Sequence, residues 1–159
     1  MLGVTSGLYL FALNNRDGGS PPDSQQGNEF SRQLRKPSIL VVDDQHLIAD
    51  TTMAVLNLSG FHAERAYSGQ SALETAAKLK PDYLLSDIVM PGMNGVDLAI
   101  SVRKQLPNTV IILISGQAGV TDLLRDAKVG GYDFDLLAKP MHPEKLVEYL
   151  KRKAPQFWK

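Results

Sequence analysis

The chain contains no cysteine. Disulfide frameworks, thiolate zinc sites, iron–sulfur centres and cysteine nucleophiles are therefore excluded, and nothing ties the protein to an oxidising compartment. No apolar run approaches the roughly 18–20 residues needed to cross a bilayer, so no membrane insertion is expected and a cytoplasmic location is. Neither sign of charge is in excess, since 17 Lys and Arg face 17 Asp and Glu. That balance removes the basic field most nucleic-acid binders carry, so no direct nucleic-acid contact is expected. What is present is globular in kind: 159 residues, 43% hydrophobic and 21% charged, enough for one domain with a real core.

Residues 1–36 differ from the rest. A short apolar patch, Leu8 to Leu13, is followed by a stretch rich in Gly, Pro, Ser, Gln and Asn, which reads as a disordered extension. It does not read as a signal peptide, because a basic start and an A-x-A cleavage site are missing and Thr5, Ser6 and Gly7 interrupt the apolar core.

From Ser38 onward strand and helix signals alternate. Ser38–Val42 (SILVV) suits a strand buried on both faces. Leu47, Thr51, Ala54, Val55 and Leu58 recur at helical spacing, and Gly60 stops that helix. His62–Tyr67 is a weak strand. Ser68 caps a helix through Lys80, which Pro81 closes. Asp82–Ser86 delivers Asp87 to the turn-rich PGMNG loop, and Val96–Leu106 is helical. Thr109–Ile114 is the strongest strand, Val120–Val129 a helix, Phe134–Ala138 the last strand, and Pro143 opens a helix to about Lys153. Residues 37–153 are thus expected to form one α/β domain with a parallel sheet covered on both faces, followed by a short tail, 154–159. No DNA-binding or enzymatic segment follows the last helix, so a stand-alone domain is expected.

In such a sheet the ligand site lies beyond the carboxyl ends of the strands. Asp43 and Asp44 follow the first strand, Asp87 the third, Ser115 the fourth and Lys139 the fifth. Each alone has an ordinary structural reading: a helix cap, a turn residue, a solvated lysine. Together they place several carboxylates in one crevice, where they repel unless a cation sits between them. A hard divalent ion such as Mg²⁺, held by oxygen ligands and water, satisfies that arrangement.

The segments VVDD (41–44), SDIVMPGMNG (86–95), ILIS (112–115) and LLAKP (136–140) resemble the receiver domain of two-component response regulators. The resemblance spans about residues 37–153 and implies a flavodoxin-like, doubly wound (β/α)5 fold with strand order 2-1-3-4-5. It implies that Asp87 is the phosphoacceptor, that Asp43, Asp44, Asp87 and the Val89 backbone carbonyl hold Mg²⁺, that Ser115 and Lys139 meet the phosphoryl group, and that the Lys139–Pro140 bond is cis. The implied partners are a sensor histidine kinase or histidine phosphotransfer protein and a downstream protein target, and a homodimer formed on phosphorylation stays open. No turnover of an external substrate is expected.

Three positions depart from the pattern. Leu136 stands where receivers often carry an aromatic residue, with Tyr132 and Phe134 offset in a longer GGYDF turn. Val89 and Gln117 lie two residues past Asp87 and Ser115, and an apolar Val89 cannot orient an attacking water. A constitutive interaction module whose site is unused is the alternative reading. A Mg²⁺-dependent phosphohydrolase with an Asp nucleophile fits less well, because the haloacid dehalogenase type needs D-x-D and a cap domain, and this chain has adjacent aspartates.

Overall fold

The computed structural model describes residues 35–158. Five strands alternate with five helices: β1 (Ser38–Val42), α1 (His46–Leu58), β2 (His62–Ala66), α2 (Gly69–Leu79), β3 (Tyr83–Asp87), α3 (Gly95–Gln105), β4 (Val110–Ser115), α4 (Thr121–Val129), β5 (Asp135–Ala138) and α5 (Pro143–Lys153). The strands form one parallel sheet in the order β2-β1-β3-β4-β5, the doubly wound arrangement that the alternation and the resemblance imply. Strand alternation splits the core into two layers. Leu40, Val42, Leu84, Ile111 and Leu113 pack against α2, α3 and α4, while Ile39, Val41, Leu85, Ile112 and Ile114 pack against α1 and α5. Burial on both faces is why β1 and β4 read as continuous apolar runs. Strand β2 read weakly because it is the sheet edge, where His62 and Arg65 face solvent.

Helix α1 forms where its periodicity places it, but the stripe that signals it is not the stripe that is buried. Leu47 and Leu58 are 79% and 90% exposed, whereas Ala49 and Leu56 are fully buried. The helix packs on β1 and β2 through the narrow face that carries Ala49 and Leu56, so Leu47 and Leu58 are left outside. Elsewhere boundaries shift by a residue for identifiable reasons. Ser68 accepts from the Ser71 N–H as a cap, and Lys80 takes a left-handed conformation (φ 47°) just past Leu79. Asn94 accepts from the N–H groups of Val96 and Asp97, starting α3 at Gly95. Asp82, expected in β3, instead precedes it; its carboxylate accepts from Ser38 N–H, Ser38 Oγ and the Arg35 guanidinium.

The extension expected over residues 1–36 lies outside the described residues as far as Leu34, while Arg35 is anchored to Asp82 at 2.6 Å. At the other end Ala154 is fully buried, and a single 3-10 turn, Pro155–Phe157, brings Trp158 edge-on to Phe61 at 4.8 Å and under the Lys151 ammonium at 4.4 Å. The tail therefore packs on α5 and on the α1/α5 layer of the core. No helix among the described residues is long and apolar enough to cross a membrane.

Candidate functional site

Strand order reverses across β1, which has β2 on one side and β3 on the other. The crevice beyond the carboxyl ends of β1 and β3 is therefore where a ligand site belongs. Asp43 and Asp44 leave β1 there, and Asp87 is the last residue of β3. The three carboxylates can each offer an oxygen with all of these atoms within 4.8 Å of one another. Lys139, delivered by β5, donates from Nζ to Asp43 at 2.8 Å and to Asp87 at 3.2 Å. Burial alone would lower the Lys139 pKa. The hydrogen bond and charge of Asp43, followed by those of Asp87, outweigh burial and hold the ammonium above its ordinary value. One lysine does not neutralise three carboxylates, so the donor set, hard oxygens with a surplus of negative charge, fits a divalent cation.

Asp43 and Asp87 are each held by residues close to them in sequence. Asp43 uses its other oxygen to accept from the Gln45 N–H at 3.0 Å, which fixes its rotamer as the chain turns into α1. Asp87 is held through its peptide group: Ser86 Oγ donates to its carbonyl at 2.9 Å. The following loop is pinned by Ile88 N–H to Ile114 and by Gly95 N–H to Ile88, at 3.1 and 2.8 Å. Gly95 passes so near β3 that a Cβ there would lie 2.0 Å from the Asp87 carbonyl oxygen. Only glycine permits that approach. Val89 is half-exposed, and its N–H lies 3.4 Å from Asp87 Oδ1, which places its peptide group at the rim of the site.

The hydroxyl of Ser115 is buried at the end of β4 and accepts from the Gln117 N–H at 3.2 Å. The Ser115 carbonyl accepts from the Lys139 N–H at 2.9 Å, so the hydroxyl residue and the lysine are neighbours across the β4–β5 ladder. The Lys139–Pro140 bond is cis. All five side chains named from sequence thus meet at one end of the sheet, with Lys139 bridging the two acids from different strands. Leu136 is 45% exposed, and Tyr132 and Phe134 stack on each other (centroids 6.2 Å, planes 15° apart) against the α2/α3/α4 layer. Neither aromatic takes the place of Leu136.

Sequence reasoning missed two features of this region. Gly95 sits inside the PGMNG motif, but its close approach to Asp87 follows from the angle at which α3 meets β3. A cavity of about 490 Å³ adjoins the acids, lined by Asp43, Asp87 and Lys139 together with Ile48, Thr52, Met141 and Leu146. Its walls come from the ends of β1, β3 and β4, from α1 and α5, and from the loop between β5 and α5, and no contiguous stretch of sequence encodes them.

Comparison with known proteins bears on this geometry. A family model described as the response regulator receiver domain matches residues 39–151. The chemotaxis protein CheY of Thermotoga maritima is 33% identical over 115 residues, spanning 72% of this chain and 94% of that protein. The DNA-binding response regulator MtrA of Mycobacterium tuberculosis is 32% identical over 109 residues, 69% of this chain but 46% of its own length. The chain thus spans about half the length of such DNA-binding relatives. Among solved structures, a CheY-like receiver domain protein from Methanospirillum hungatei superposes with a TM-score of 0.69 at 26% identity, covering 77% of this chain and 96% of the other. Vibrio cholerae CheY4 superposes at 0.66 with 30% identity, covering 74% and 98%.

Proposed function

The chain belongs to the response regulator receiver domain family, and on that premise we propose that it is a phosphoacceptor, in which Asp87 takes a phosphoryl group from a histidine kinase or histidine phosphotransfer protein with Mg²⁺. The observation that carries this reading is the Lys139 ammonium bridging Asp43 and Asp87 beside Asp44, all at the topological switch of the sheet. A carboxylate is a poor nucleophile toward a donor that already bears negative charge. Asp43, Asp44, Asp87 and the Val89 carbonyl would hold Mg²⁺, which when bound supplies charge neutralisation for the donor's oxygens.

The rest falls to the chain itself. Asp87 contributes a carboxylate oxygen that attacks phosphorus, the bond from phosphorus to the donor nitrogen breaks, and an aspartyl phosphate remains. Lys139 meets the new negative charge, exchanging its contact with the Asp87 carboxylate for one with the phosphoryl oxygens. The Ser115 hydroxyl, now weakly engaged with Gln117, is positioned to donate to the same group. Drawing Ser115 inward would shift the loop before α4 and change the surface a protein partner reads. The protein so acts by phosphorylation-dependent binding of a partner, without turnover of an external substrate.

One observation favours a second reading. With Leu136 exposed and the aromatic pair packed elsewhere, the domain lacks an aromatic switch and could instead bind partners constitutively. Incubation with Mg²⁺ and acetyl phosphate or phosphoramidate separates the two. Wild type should gain one phosphoryl mass and Asp87→Ala none; no gain from any donor would leave the constitutive reading.

A further inference from the structure

Asp43 and Asp87 are fixed by hydrogen bonds, but among the described residues none reaches the half-buried Asp44 carboxylate. Helix α1 begins two residues later, and its start is weakly supported from within: Gln45 makes no side-chain capping bond and the first turn has no acidic residue. The support comes from the end of the edge strand β2. The Asp43 N–H donates to the Ala66 carbonyl at 3.2 Å, so the residues that follow, Asp44 and Tyr67, leave the sheet together. The Tyr67 ring stacks on His46, with centroids 3.8 Å apart and planes at 20°. Its hydroxyl donates to Asp50 at 2.7 Å and accepts from Arg65 Nε at 2.6 Å. Arg65 also pairs with Asp50 and donates to Met53 Sδ at 3.4 Å. His46, Asp50 and Met53 stand at i, i+4 and i+7, a single stripe of α1, so β2 grips the helix along its first two turns.

We propose that Tyr67 is a positioning residue for the Asp44 carboxylate. Its ring on His46 and its hydroxyl on Asp50 fix the start of α1, and the start of α1 in turn fixes how Asp44 faces a divalent cation. The inference rests on the phosphoacceptor reading above, in which Asp44 is a Mg²⁺ ligand, and it gives a role in that site to a side chain that is not a ligand. The physical reason is preorganisation. A carboxylate that becomes ordered only as the ion binds loses conformational freedom at that moment, and the affinity falls although every ligand is still present. Removing the groups that support metal ligands weakens metal affinity about 10–100-fold. Tyr67 acts through the backbone of α1 rather than by bonding Asp44, so its effect belongs at the lower end, about tenfold.

The test titrates Mg²⁺ alone into the full chain and reads affinity from the amide NMR shifts of Asp87 and Val89. Tyr67→Leu keeps apolar bulk but loses the stacking ring and the hydroxyl, and should bind Mg²⁺ about tenfold more weakly. Tyr67→Phe keeps the ring on His46 and loses only the bonds to Asp50 and Arg65, so its loss should be about threefold. His46→Ala added to Tyr67→Leu should weaken binding by less than about twofold more, because the contact it removes is already gone. Trp158→Ala, which loosens packing at the opposite end of the sheet, should leave Mg²⁺ affinity unchanged and so separates positioning from general destabilisation. Affinity within twofold of wild type in both Tyr67 variants overturns the inference, as does an equal loss in Trp158→Ala. Saturable Mg²⁺ binding that ignores Tyr67 leaves the phosphoacceptor reading standing and this inference refuted; a wild type that binds no Mg²⁺ refutes both.

Discussion

A single methyl group added at Gly95 tests how the phosphoacceptor strand is held. In Gly95→Ala the new Cβ would lie 2.0 Å from the Asp87 carbonyl oxygen and 2.8 Å from Ile88 Cα, where real contacts essentially never fall below 3.0 Å. The overlap of about 1 Å is with backbone, so no side chain can swing away to relieve it. Either the start of α3 lifts from the sheet, breaking the Gly95 N–H bond to Ile88, or β3 moves at Asp87. Overpacking of a tight site costs about 1–3 kcal/mol, and a backbone clash belongs at or above the top of that range. For a domain of this size about 3 kcal/mol lowers Tm by roughly 10 °C.

Two other glycines calibrate the result. Gly116→Ala would meet Lys139 Cβ at 3.3 Å, and Gly92→Ala has open space but a φ of +73°, so each should cost about 1 kcal/mol. Urea denaturation of the three variants should therefore place Gly95→Ala well below the others. If Gly95→Ala unfolds within 1 kcal/mol of wild type, the close approach of α3 to Asp87 is not what positions this site.

Other outcomes follow from the same geometry. Asp82 is half-buried. Desolvation raises its pKa, but the Arg35 hydrogen bond, the Ser38 bonds and the Arg35 charge together hold it below the ordinary carboxylate value. A depressed folded value means stabilisation present above the unfolded pKa of about 3.9 and lost as pH falls through the lower folded value. Asp82→Asn should thus cost about 2 kcal/mol at pH 7, shrinking below pH 4, and a cost independent of pH in denaturant titrations would contradict this. Trp158→Ala removes the ring on Phe61 and under Lys151 and should cost about 2 kcal/mol, less than a fully buried aromatic, as read from thermal melts. Because the apolar, half-exposed Val89 cannot orient a water toward the phosphoryl group, loss of phosphate from purified protein with Mg²⁺ should be slow; a half-life of seconds would refute that.

Much of this architecture could be read from residue order alone. Strands β1 and β4 are runs of β-branched and aliphatic residues because they are buried on both faces, and helix caps such as Ser68 and Asn94 act within a few residues of their position. The site residues were legible for a related reason: in a parallel sheet the strand ends face one crevice, so Asp43, Asp44, Asp87, Ser115 and Lys139 converge. What was not legible depends on approach in three dimensions. Leu47 and Leu58 mark helix α1 but not its inward face, which Ala49 and Leu56 occupy while those two leucines stay in water. The contact of Gly95 with Asp87, and the cavity beside the acids, arise from the angles at which elements pack, which local sequence does not encode.

The central claim is that the Asp87 carboxylate itself becomes phosphorylated. Wild-type protein treated with phosphoramidate and Mg²⁺, then reduced with borohydride, converts an aspartyl phosphate to homoserine at the modified position. Peptide sequencing should find homoserine at position 87 alone. Its absence there, or its appearance at position 43 or 44 instead, would contradict the account.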